Sequence, residues 1–175
     1  MILTGNKIQD EVLNGRITIN PFRPECINPN SYNFHLGSTF QVYISDVLDP
    51  KIEQQTTLIE MSEDGIVLQP NELYLGYTLE EMGSDYYVPF IFGRSSIGRL
   101  GLFVQITAPL GDIGFVGQWT LQLTPVRPVR VYPSMRIGQI LFIVPDGPVD
   151  LYKGKYQYSQ GARKSDVFKD FNKRT

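Results

Sequence analysis

The sequence predicts an all-β fold, a barrel or sandwich with one small helix at its front. Three observations carry this. Apolar and polar residues alternate through stretch after stretch of the chain, the pattern of half-buried strands. The stretches are short and parted by Gly, Pro, Asn and Asp, the residues of turns. A helical period is clear only near the amino terminus, and many short strands with turn signals between them favour a closed or layered β architecture. At 175 residues the chain fits one domain that buries a core without disulfide or metal staples.

Taken in order, "TGNKIQDEVLNG" is the helix, with Thr4 as cap, Ile8, Val12 and Leu13 on one face, and Gly15 as the stop. "RITINPF" alternates next. "SYNFHLGSTFQVYI" alternates through Tyr32, Phe34 and Leu36, and resumes at Phe40, Val42 and Ile44. "GIVLQPNELYLGYTLEEM" reads as two strands joined by a turn at Pro70-Asn71. Further strands follow at "YYVPFIFG", "LGLFVQITA", "GQWTLQLTP", "VRVYP" and "QILFIVP". Prolines in "VRPVRVYPSMR" mark an exposed edge strand. From about Asp146 the chain turns polar and loses its period, so residues 146–175 read as a frayed tail or a mobile flap over a ligand. No repeat, linker or boundary divides residues 1–175.

Composition narrows the function classes. A net charge of −2 gives no basic field for general nucleic-acid binding, so an anionic ligand must be held by a local Arg or Lys cluster. No apolar run approaches the ~18 residues of a membrane span, and the amino terminus lacks a signal-peptide pattern. The one cysteine, Cys26, forms no internal disulfide and has no zinc-type spacing around it; it reads as a small half-buried side chain in a reducing, cytoplasmic protein. His35 is the one histidine, so a Ser-His-Asp triad or a His-rich metal site would have to run through it; it is expected to face solvent or a neighbouring subunit. Trp119, on an alternating strand, is expected in the core.

The densest polar chemistry lies in "FGRSSIGRLGLFVQITAPLGDIGFVGQWTLQL". In "GRSSIGRLG", Ser95 suits a helix N-cap and Gly101 a stop. The first turn of such a helix offers unpaired N–H groups to an anion, and Arg94 and Arg99 can reach the same region. Arginine forks well onto phosphate oxygens. Spacing alone leaves this open against a surface turn with solvated charges.

"GRSSIGRLGLFVQITA…GDIGFVGQWTLQL…RIGQILF" resembles the dCTP deaminase family of the trimeric dUTPase superfamily. "MILTGNKIQ", "INPNSYNFHLG" and "GKYQYSQG" are similar to that family's opening, its Pro-x-Ser-Tyr element and its carboxy-terminal flap. The likeness runs from Met1 to about Gly161. It implies a distorted β-barrel assembled as a homotrimer, with active sites at subunit interfaces and a pyrimidine deoxynucleoside triphosphate as substrate. Arg94, Ser95, Ser96 and Arg99 match the triphosphate-binding motif, and Arg99 also orders the deamination site. Tyr152, Lys155 and Gln160 match the flap, with Gly161 as its glycine. Gln105, Thr107 and Ala108 match the segment that contacts the base. Asp112 matches the aspartate that contacts the sugar and helps place water, although an aspartate before Gly is also common in plain turns. The resemblance implies Mg²⁺ carried by the nucleotide, not held in a protein cage.

Three positions depart from the family pattern. The family's deaminases carry Thr-Leu-Glu where this chain has Thr120-Leu121-Gln122. That glutamate moves protons between water, the cytosine ring and the leaving amine. A glutamine amide orients water but does not titrate near neutral pH, and loss of a positioned general base costs ~10²–10⁴-fold. Gln105 stands where many deaminases have His, and Pro109 stiffens a loop whose backbone contacts the base. The favoured reading is therefore diphosphate release from a dUTP-type nucleotide. A dCTP deaminase, native or inactivated by Glu→Gln, is the alternative, and a nucleotide-binding module without catalysis is a third.

Overall fold

The computed structural model describes residues 1–104 and 107–172. The mainly β expectation holds, and among the described residues three α-helices and one short 3₁₀ turn (Pro24–Cys26) accompany twelve strands. Helix α1 (Gly5–Leu13) is capped as expected: the Thr4 hydroxyl accepts from the Lys7 amide at 3.4 Å. Gly15 follows its end at φ +71, the left-handed region that glycine enters most cheaply. Its inward face differs from expectation. Ile8 is fully buried, but Leu13 is 74% exposed. At 100° per residue Leu13 lies about 140° around the helix from Ile8, too far to share its face. The inward position goes to Glu11, which is fully buried. Its carboxylate takes bonds from the Arg16 guanidinium, Lys7 at 2.7 Å and the Tyr87 hydroxyl at 2.9 Å. The Arg16 bonds hold the Glu11 carboxyl well below the ordinary carboxylate range.

The strands are β1 (Thr18–Asn20), β2 (Ile27–Asn28), β3 (Ser31–His35), β4 (Thr39–Tyr43), β5 (Thr56–Glu60), β6 (Ile66–Leu68), β7 (Tyr74–Gly83) and β8 (Val88–Gly93). After helix α2 (Ser95–Gly98) come β9 (Leu102–Val104), β10 (Val116–Pro125), β11 (Val129–Val131) and β12 (Arg136–Ile143), and helix α3 (Phe168–Asn172) ends the described chain. One sheet runs β5-β4-β7-β10-β9, with β1 also on β7. A second runs β2-β3-β12-β8, and β11-β6 forms a third. The two strands expected around the turn at Pro70-Asn71 form as β6 and β7, but they do not pair with each other: β6 pairs with β11 and β7 with β10, β4 and β1. The long β10 offers β7 seven paired positions, more hydrogen bonds than three-residue β6 could supply.

One core lies between these sheets. Tyr32 and Phe34 of β3, Phe40 of β4, Leu121 and Leu123 of β10, and Ile140 and Phe142 of β12 are all fully buried in it. Each such side chain contributes roughly 1.5–3 kcal/mol of burial. Cys26 and His35 also lie inside, against the expectation of a half-buried thiol and an outward imidazole. The polar reason is Glu80, fully buried on β7, whose carboxylate meets His35 Nδ1 at 2.5 Å and the His35 amide at 2.9 Å. Cys26 Sγ lies 3.9 Å from His35 Nε2, and burial pushes the thiol up. No described helix is long and apolar enough to cross a membrane.

Candidate active site

Burial alternates strictly along β10. Gly117, Trp119, Leu121 and Leu123 turn inward, so Gln118, Thr120 and Gln122 share the other face. That polar row floors a cavity of about 490 Å³, a size that suits a nucleotide-scale ligand. Tyr43, Leu48, Leu73 and Leu75 form apolar walls. Ala108, Leu110 and Asp112 enter from the segment between β9 and β10, and Tyr152, Tyr156 and residues 163–165 come from the carboxy-terminal segment.

Two glycines set the Asp112 turn. The Gly111 amide donates to the Pro89 carbonyl at 2.9 Å, and a Cβ there would overlap the Trp119 indole. Gly114 sits at φ +92, donates to the Ser84 carbonyl at 2.8 Å, and lies so near the Tyr152 amide that a Cβ would come within 2.7 Å. The Tyr152 amide in turn donates to the Ile113 carbonyl at 2.8 Å. The turn is thus stitched to β8 on one side and to the carboxy-terminal segment on the other. Its product is Asp112, the one carboxylate among the described residues that line the cavity. Trp119 is buried as expected and donates from its indole to the Met82 carbonyl at 3.0 Å, but its edge also reaches the cavity.

Gln122 lies across the same cavity, and its carboxamide oxygen accepts from the Thr107 hydroxyl at 3.1 Å. Thr107 and Ala108 therefore do meet the Gln122 side of the site. Pro109 fastens this stretch to β8 through its carbonyl, which accepts from the Ile91 amide at 2.9 Å. Gln105 lies outside the described residues.

The Arg-Ser-Ser turn stands elsewhere. Arg94, Ser95, Ser96 and Arg99 do not line this cavity. Arg94, not Ser95, occupies the N-cap of α2, and it makes no side-chain cap bond. The helix is one turn held by buried Ile97, with Ser95, Ser96 and Arg99 exposed around it. The Arg94 guanidinium donates to the Arg136 carbonyl at 3.4 Å.

The carboxy-terminal segment is packed, not frayed. The Tyr158 amide donates to the Val116 carbonyl at 3.0 Å and the Gln118 amide to the Ser159 carbonyl at 2.8 Å, so the segment lies along β10. Gly161, at φ +66, donates to the Gln118 side-chain oxygen at 2.6 Å. Of its predicted site residues, Tyr152 faces the cavity. Lys155 does not: its ammonium holds Asp170 at 2.9 Å and the Asp166 carbonyl at 3.1 Å, and the Asp170 bond raises its pKa. Gln160 donates to the Glu81 carboxylate. Reasoning from sequence missed Gln118 and Thr120, which two-residue spacing from Gln122 could have revealed. It also missed Arg163 and Lys164, which lie in an aperiodic stretch that gave no signal. Among the described residues no group of three or more His, Cys, Asp or Glu is placed to hold a metal ion.

Comparison with known proteins gives a consistent likeness. A family model described as dCTP deaminase-like matches residues 2–144. Over 174 residues the chain is 47% identical to a "dCTP deaminase, dUMP-forming" of Clostridium beijerinckii, covering 99% of this chain and 100% of that protein. A protein of the same name from Cytophaga hutchinsonii is 45% identical over 174 residues, again 99% of this chain and all of the relative. A solved 2'-deoxycytidine 5'-triphosphate deaminase from Agrobacterium tumefaciens superposes with a TM-score of 0.66 at 20% identity. That superposition covers 82% of this chain and 48% of the solved one, and it speaks for the fold.

Proposed function

The chain belongs to the dCTP deaminase-like family, and from that premise we propose that it acts on dCTP, releasing ammonia and diphosphate to leave dUMP. One observation carries this reading: likeness at 47% identity runs the whole length of a protein named for that reaction. Asp112 and Gln122 share one cavity in keeping with it. The balance is two waters consumed. One adds to C4 of the cytosine, its proton passing to the ring and then to the departing amine. The other attacks phosphorus, and diphosphate leaves. Asp112 is the described lining residue able to accept a proton from either water, and Gln122 orients water through its amide. Arg94, Ser95, Ser96 and Arg99 would bind the triphosphate from a neighbouring subunit of a homotrimer, because they lie outside this chain's own cavity. Mg²⁺ would travel on the phosphates and neutralise the leaving diphosphate; the lone lining carboxylate fits that role better than a protein cage.

Gln122 supports a second reading, in which only diphosphate is released and dUTP is the substrate. A glutamine in place of the deaminases' glutamate supplies no titrating group beside the base. The test is product analysis with dCTP and dUTP in separate reactions with Mg²⁺. Ammonia from dCTP supports the first reading. Diphosphate from dUTP with no ammonia from dCTP supports the second. Neither product from either nucleotide defeats both.

A further inference from the structure

The cavity's own positive charge comes from an unexpected place. Among the described lining residues the cations are Arg163 and Lys164, both on the carboxy-terminal segment. Lys155 is engaged by Asp170, and Arg94 and Arg99 are outside the cavity.

The backbone that carries the pair is pinned on both sides. The Arg163 amide donates to the Thr120 hydroxyl at 2.8 Å, on the polar face of β10. The Ser165 amide donates to the Tyr43 hydroxyl at 2.9 Å, across the cavity on β4. Immediately before them the Ala162 carbonyl accepts from the Gln41 side-chain amide at 2.8 Å. Residues 162–165 therefore bridge two strands, and the side chains of Arg163 and Lys164 work from a fixed base.

Their present partners can release them cheaply. Lys164 pairs with Glu53 at 2.8 Å, but the Glu53 side chain is 56% exposed and stays solvated when left alone. Arg163 lies 3.8 Å from the buried Asp166, which keeps Lys169 at 2.9 Å if Arg163 leaves. Neither departure strands a buried charge. A polyphosphate offers several charged oxygens to a guanidinium and an ammonium together, stronger acceptors than either surface pair provides.

We propose that Arg163 and Lys164 form a phosphate-binding pair, supplied by the same chain that supplies Asp112, which grips the polyphosphate of the bound nucleotide. The nucleotide's identity rests on the function proposed above; the anion-binding pair does not. Binding is measured by calorimetry with three probes, dCTP, deoxycytidine and inorganic tripolyphosphate, on the full chain and on R163Q/K164Q. We expect at least about tenfold weaker dCTP and tripolyphosphate binding in the double variant, the low end for a lost charge-assisted contact. Deoxycytidine affinity stays unchanged, and the salt dependence of dCTP binding becomes shallower. Glu53→Gln, which frees Lys164, strengthens tripolyphosphate binding. R163K with Lys164 intact keeps most of the affinity and guards against a folding artefact. Equal affinity of wild type and R163Q/K164Q for both anions overturns the pair. If wild type binds tripolyphosphate through the pair but takes neither dCTP nor deoxycytidine, the pair stands and the proposed substrate falls.

Discussion

The Thr107 hydroxyl donates to the Gln122 carboxamide oxygen at 3.1 Å. A carboxylate in place of that amide would accept the same bond with the same number of heavy atoms, so the site is already shaped for one there. Gln122→Glu should therefore restore a titrating group without repacking the cavity floor. Ammonia release from dCTP should rise by at least roughly tenfold, the low side of the general-base range. Ammonia assays on both forms check it, and rapid deamination by the unaltered chain would show that a group other than residue 122 supplies the base.

Asp112→Asn tests the other half of the chemistry. Asp112 is the sole carboxylate among the described lining residues, so its loss removes the one carboxylate that could take a proton from an attacking water. Diphosphate release should fall by ~10²–10⁴-fold while nucleotide affinity changes little. In the Gln122→Glu background ammonia release should survive the same change, because the introduced carboxylate would then carry that proton. A drop in affinity equal to the drop in rate would mean Asp112 chiefly binds the sugar.

Gly111→Ala should damage the site without touching a reacting group. The added methyl would meet the Trp119 indole and Pro89, so the turn that aims Asp112 must shift. The expected result is a lower kcat with nucleotide still bound, read beside a thermal melt. Unchanged kinetics would mean the turn absorbs the methyl without moving Asp112.

Much of this architecture was legible because alternation survives in long strands. β10 shows it: buried Trp119, Leu121 and Leu123 interleave with Gln118, Thr120 and Gln122, so core and cavity floor can be read from one string. Leu13 was misread because a helix stripe must be counted by angle, not by apolar content. His35 was misread because its burial depends on Glu80, which lies 45 positions beyond it on another strand, and Cys26 because it lies against the His35 ring so placed. Arg163 and Lys164 were invisible because side-chain acceptors on distant strands, Thr120 and Tyr43, hold their segment without any repeating pattern.

Glu11 makes stability depend on acid in a defined direction. Its folded pKa is depressed, first by the Arg16 bonds, so its contribution is complete above the unfolded value near about 4.3 and fades as pH falls below it. Glu11→Gln should lower the melting temperature at neutral pH, and the gap to wild type should narrow as pH falls through and below that unfolded value. A constant gap across that range would mean the variant acts through packing of α1, not through charge.

Arg99→Ala tests whether the two halves of the proposed site come from different subunits. Arg99 stands at the end of α2, while Asp112 faces a cavity that Arg99 does not line. Arg99→Ala should weaken dCTP binding by roughly 1.5–3 kcal/mol through loss of a charge-assisted contact. The stronger test mixes it with Asp112→Asn after dissociation and reassembly. If each site takes Asp112 from one chain and Arg99 from its neighbour, a site is intact when both are drawn from the right variant. Random assembly at equal amounts then gives about a quarter of wild-type sites, half times half, from two defective proteins. Light scattering should report a trimer in the same samples. A mixture no more active than its two components, while trimeric, would mean that Arg99 and Asp112 of one site do not come from different chains, and would remove the site shared between subunits from the mechanism.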